Sequence, residues 1–192
     1  MNRARSTLRR STILLALVGA ATIVANPLTS ASATPVHAAS STKSVPAICR
    51  SISTTTATWV FGYPVATGQY LKLLPQTLPA GVTGIACVWN AKMKTQPGHV
   101  GVEVFTFATP AAAVGYLSNF VAQLKQGGTI RRINLPRLSA HEFGYGDHNY
   151  TSGQALWING RHMLALDVTG AKRLSDARFA ATAAAFSRHS GV

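Results

Sequence analysis

The sequence predicts an α+β fold: a mainly antiparallel sheet with helices packed on one face, and one disulfide. Three observations predict it. Apolar residues alternate with period two in several segments, as half-buried strands require. Two other segments carry helical apolar spacing behind a capping residue. The 192 residues hold two cysteines, Cys49 and Cys87. Strand runs interrupted by only two clear helices point to α+β and not to alternating βαβ units.

Residues 1–33 read as a secretory signal. Arg3, Arg5, Arg9 and Arg10 form a basic start, and Ile13 to Ala25 is an apolar stretch of 13 residues, short of the ~20 that span a bilayer. Cleavage fits after Ala33 or after Ala38, so the mature form carries no transmembrane segment. Residues 34–45 are small, polar and patternless, a flexible leader. One domain then fills 46–192.

Within it, Ser53 to Thr58 is β-branched, which suits a strand, yet Ile52, Thr56, Trp59 and Val60 fall at helical spacing before Gly62. Residues 63–84 are rich in Pro and Gly, with a short Tyr70–Leu74 strand at most. Ile85–Asn90 is a strand, Lys92–Gly98 a turn, and His99–Thr109 the clearest strand. Val100, Val102 and Val104 lie on one of its faces; Glu103, Phe105 and Phe107 lie on the other. Thr109 caps a helix with Pro110 at its first position, an inner stripe of Ala113, Leu117, Phe120, Val121 and Leu124, and Gly127-Gly128 at its end.

Thr129–Leu135 suits a strand, followed by a polar loop through Gly153. Ala155–Ile158 and His162–Val168 form a hairpin turning at Asn159-Gly160, with Trp157 opposite His162. Ser175 caps a last helix that turns Phe179, Ala183 and Phe186 inward.

The chain carries 18 basic residues against 5 acids, a formal charge of +13; loss of the signal leaves 14 against 5, or +9. Such a surplus draws anionic partners, wall polymers or lipid headgroups ahead of nucleic acid, although basic residues scattered in small sets read first as a solvated surface. The candidate contacts are Lys92, Lys94, Arg131, Arg132, Arg137, Lys172 and Arg173, with Arg178 close by in sequence. Export also sets the redox state. An even cysteine count outside the cytosol pairs, so Cys49 and Cys87 are expected to form a structural disulfide.

Cys49 leads into Phe61-Gly62-Tyr63-Pro64, and Cys87-Val88-Trp89 follows a Pro/Gly-rich stretch. Then come the strand–helix unit, Gly144-Tyr145-Gly146-Asp147, the hairpin and an Ala-rich closing helix. This order resembles an actinobacterial family of secreted proteins and lipoproteins whose domain has no assigned function. The resemblance implies a Cys49–Cys87 bond and a helix after Cys49, and it transfers no catalytic residue. This chain lacks the lipid-anchored cysteine of many members.

The densest polar cluster is His141, Glu142, Asp147 and His148, which could ligate a divalent metal from a loop. A Gly-rich turn whose side chains satisfy backbone groups is the favoured alternative. Burial of Glu103 would raise its pKa, although a Glu at a strand edge reaching solvent or a lysine is the plainer reading. Trp89, Trp157, Tyr70, Tyr145 and Tyr150 could line a pocket, with the two tryptophans better placed in a core. No catalytic residue and no cofactor is assigned. The sequence thus favours a non-enzymatic binding or accessory domain, secreted and acting at the anionic cell envelope, over a metal-dependent or hydrolytic enzyme, or a small-ligand sensor or carrier.

Overall fold

The computed structural model describes residues 46–93, 95, 97–127 and 130–192. The expected signal, the leader and Lys94 lie outside them. Two short helices open the described residues: α1 (Ala47–Arg50) and α2 (Thr54–Phe61). The Thr-rich run is helical because the Ser53 hydroxyl accepts from the Thr56 N–H at 3.0 Å, and Gly62 ends the helix in the left-handed region at φ 81°.

Strands β1 (Gln69–Lys72), β2 (Thr83–Asn90) and β3 (His99–Thr106) form one meander. Helix α3 (Pro110–Gln126), capped by Thr109 on the Ala112 N–H at 3.1 Å, carries the chain across the sheet to its far edge. There β4 (Arg131–Arg132), β5 (Glu142–Gly146), β6 (Ser152–Asn159) and β7 (His162–Thr169) walk back until β7 pairs with β3. Helix α4 (Asp176–His189) closes the chain. The described strands make one antiparallel sheet in the order β1-β2-β3-β7-β6-β5-β4.

The central strands bury side chains on both faces, so each face needs a cover. Val100, Val102, Trp157, Leu164 and Leu166 meet Val60 and Phe61 of α2 and Phe179, Ala183 and Phe186 of α4. The Cys49–Cys87 disulfide, with Cα atoms 5.2 Å apart, ties α1 to β2 on this side. On the opposite face Phe105, Leu156, Ile158 and Met163 pack with Ala113, Leu117 and Phe120 of α3.

The α+β antiparallel sheet and its disulfide are therefore present, but the helices do not all share one face. α1, α2 and α4 do; α3 covers the other, because the crossover from β3 to the far edge must pass over Phe105, Met163 and Leu156. Val121 and Leu124 of its expected stripe are only partly buried.

The hairpin turns one residue later than the sequence suggests. Gly160, at φ 58°, and Arg161 form the turn, Asn159 faces His162, and Trp157 faces Leu164. Moving the partner by two residues keeps every side chain on its expected face.

The expected strand after the Gly pair shrinks to Arg131–Arg132, and the expected polar loop contains β5. Gly144 explains that strand: a Cβ there would lie 2.6 Å from the Ile133 carbonyl, so only glycine lets the 131–135 segment run alongside. Among the described residues, no helix is long and apolar enough to cross a membrane.

Candidate functional site

Five acids serve the whole chain, and three of them are committed to structure. The Glu142 carboxylate accepts from the N–H groups of Leu138 and Ser139. Asp147 accepts from the Thr151 N–H at 2.8 Å, the Thr151 hydroxyl at 2.6 Å and the Ser152 N–H at 3.0 Å. Burial opposes its ionisation, but those hydrogen bonds and Arg131 prevail and hold its carboxyl below the usual carboxylate range. Asp176 takes the Arg131 guanidinium, which also donates from Nε to the Asp147 carbonyl and lies 4.0 Å over the Tyr150 ring.

The expected metal cluster therefore does not assemble. His141 and His148 are exposed beyond opposite ends of β5, whose five residues at about 3.3 Å each stand between them. Glu142 and Asp147 cap backbone groups instead. Among the described residues no three His, Cys, Asp or Glu side chains are grouped to hold a metal ion.

The candidate cations separate into two kinds. Arg131 is a partly buried structural group, Arg132 lies 4.9 Å over the Phe143 ring, and Arg137 sits exposed in the loop before β5 at φ 53°. Lys172 and Arg173 behave differently. With Arg178, Ser175 and Gly62 they line an open groove of about 470 Å³ at the start of α4.

The groove is built by local rules. Lys172 N–H donates to the Phe61 carbonyl at the end of α2, and a Cβ on Gly62 would meet the Lys172 Cβ at 3.1 Å. Ser175 caps α4 through the Arg178 N–H. Arg178 lies 5.3 Å over the ring of Trp59 and Lys172 sits 6.0 Å over Tyr63, so aromatic surface borders the charge. Trp59 is 44% exposed, whereas Trp89 and Trp157 are core residues. Exposed Lys92 lies near this corner, since its N–H donates to the Pro64 carbonyl, two residues beyond Gly62. Sequence reasoning found the basic residues here but not Trp59, whose outward direction depends on how α2 docks.

A second polar group lies on the α3 face of the sheet. Gly101, Asp167, Gln154 and Tyr145 stand in one cross-strand row, and His99 and Glu103 flank Gly101 on β3. His99 Nε2 meets Asp167 Oδ2 at 2.8 Å. Burial disfavours the imidazolium, but the hydrogen bond and charge of Asp167 outweigh it and raise the His99 pKa. The Tyr145 hydroxyl donates to Gln154 Oε1, and burial followed by the Asp167 charge pushes its pKa up. Glu103 is 2% exposed, and its Oε2 has no partner among the described residues. Burial first, then the Asp167 charge, pushes its pKa up to about 8. This overturns the solvent-reaching reading of Glu103: β3 is an inner strand, and its neighbours here are Ala86 and Ala165, not a lysine.

No family model, curated protein or solved structure matches the chain.

Proposed function

We propose that the chain is an exported, non-enzymatic binding domain, of the actinobacterial secreted type its motifs resemble, that holds an anionic envelope polymer in the Lys172–Arg173–Arg178 groove. The groove itself carries this reading: three cations line it, no acid does, and exposed Trp59 stands beside it. The acid nearest in sequence, Asp176, is bound to Arg131. Repeating anionic sugars would meet guanidinium and ammonium donors together with an aromatic edge, which suits a glycan polymer better than a bare headgroup. The +9 charge left once the signal is removed adds long-range attraction.

The test is retention on a phosphorylated wall glycan, compared with vesicles of anionic lipid, at low and high salt. Retention on the glycan should fall steeply with salt, because exposed charges are screened over about 10 Å at 0.1 M. A basic side chain near an anionic surface contributes about 1 kcal/mol. The Lys172→Gln/Arg173→Gln double variant should therefore bind roughly 30-fold more weakly at low salt. Unchanged binding by that variant, or retention indifferent to salt, would overturn the proposal; preference for the vesicles would move the partner to lipid.

A further inference from the structure

We propose that the row centred on Gly101, on the sheet face opposite the disulfide, binds a small organic cation bearing N–H donors, held between the carboxylates of Glu103 and Asp167.

The first ground is an unanswered acceptor. Glu103 Oε2 is buried on an inner strand with no hydrogen-bond partner, and such a group is retained at a cost unless something else satisfies it. The second ground is space. A Cβ on Gly101 would meet only His99 Cδ2 at 3.7 Å and Asp167 Cβ at 3.9 Å, both lateral neighbours in ordinary contact. Nothing else among the described residues lies within 4 Å of that Cβ. The third is the arrangement of the acids. Ala165 faces Glu103 and Asp167 faces Gly101, so the two acids are diagonal cross-strand neighbours, whose backbones lie about 7–8 Å apart. An ammonium or guanidinium fits between carboxylates so placed and donates to both.

The surroundings select the ligand class. Both recorded contacts to Asp167, from His99 and from Thr169 Oγ1 at 3.3 Å, fall on Oδ2. Neither ion pair involving a described acid brings a lysine or arginine here, in a chain with 18 of them. A metal ion is a poor match, since no three suitable ligands converge among the described residues. An organic cation needs only two carboxylate acceptors and a polar wall, which Gln154 and Tyr145 supply.

Binding is coupled to a proton. The charge that acts on Glu103 is Asp167 on β7; His99 and Tyr145 stand farther off on the same face, β2 and β7 bring Ala86 and Ala165 beside it, and α3 packs Tyr116 on this face as its titratable group. Glu103 holds a proton at neutrality, and a bound cation favours its ionised form, so complex formation expels that proton.

The experiment is calorimetric titration of the purified protein with n-butylammonium, with tetramethylammonium as a cation lacking N–H donors. Saturable n-butylammonium binding is expected. Its affinity should rise from pH 6 to pH 8, and heats measured in buffers of different ionisation enthalpy should reveal net proton release. Tetramethylammonium should bind at least tenfold more weakly. Glu103→Gln should lose at least tenfold in affinity. Gly101→Val, which keeps both carboxylates and places a strand-compatible side chain between them, should lose binding as well and decides the matter if Glu103→Gln fails to fold. No saturable binding at millimolar n-butylammonium, equal binding of the two cations, or full affinity in the folded variants would overturn the proposal.

Discussion

A carboxyl group buried on an inner strand, with no cation beside it, stays protonated near neutrality, and Glu103 meets that condition. Its pKa rises from 4.5 in the unfolded chain to about 8 in the native one. Between those values the native state binds the extra proton, so this group's contribution is fully present below 4.5 and lost as pH climbs to about 8. The slope is at most about 1.4 kcal/mol per pH unit. Urea denaturation at pH 5, 6.5 and 8 should show wild type losing stability relative to Glu103→Gln as pH rises. Parallel profiles for the two proteins would contradict the burial. The face was legible in the Val100–Phe105 alternation, but the burial was not, since an edge position reaching solvent was the plainer reading of Glu103. Nor were its partners: placing Asp167 against Gly101 needs the β3–β7 register, which joins residues more than sixty positions apart.

At the scale of elements, the disulfide does what a small α1 helix cannot do for itself. Four residues cannot sustain a helix alone, and Cys49–Cys87 fixes them to β2 across a sequence separation of 38. On the chain-entropy account closing such a loop stabilises by about 4 kcal/mol. Cys49→Ser/Cys87→Ser should lower the unfolding free energy in urea by roughly 3–4 kcal/mol, and a loss below about 1 kcal/mol would show that α1 docks by packing alone. Elements with strong local signals were readable: α3 between Thr109 and Gly127, α4 behind Ser175, and the β6–β7 hairpin. Strand β5 was not. Its Gly-Tyr-Gly core has the composition of a turn, and it becomes a strand because β6 pairs along its length while β4 and the 133–135 segment need the room its glycines leave. The placement of α3 also escaped local reading, since the helix stripe specifies that a face is buried but not which side of the sheet buries it.

For the molecule as a whole, the two faces of the sheet carry different chemistry. The disulfide side ends in a cationic groove where the α2 end, the 170–175 loop and α4 meet. The α3 side holds the acids that no capping role or arginine claims. Charge composition foretold a surplus of cations but not that three of them line one groove, and only the assembled sheet reveals the second. The groove is the centre of the account because it turns a diffuse surplus of cations into a defined place. Amide chemical-shift mapping of isotope-labelled protein titrated with a phosphorylated glycan reads that place directly. Shifts should concentrate at Gly62, Lys172, Arg173, Ser175 and Arg178, with Arg132 and Arg137 unmoved. Shifts spread evenly over every exposed basic residue, or centred on the β4 edge, would contradict it.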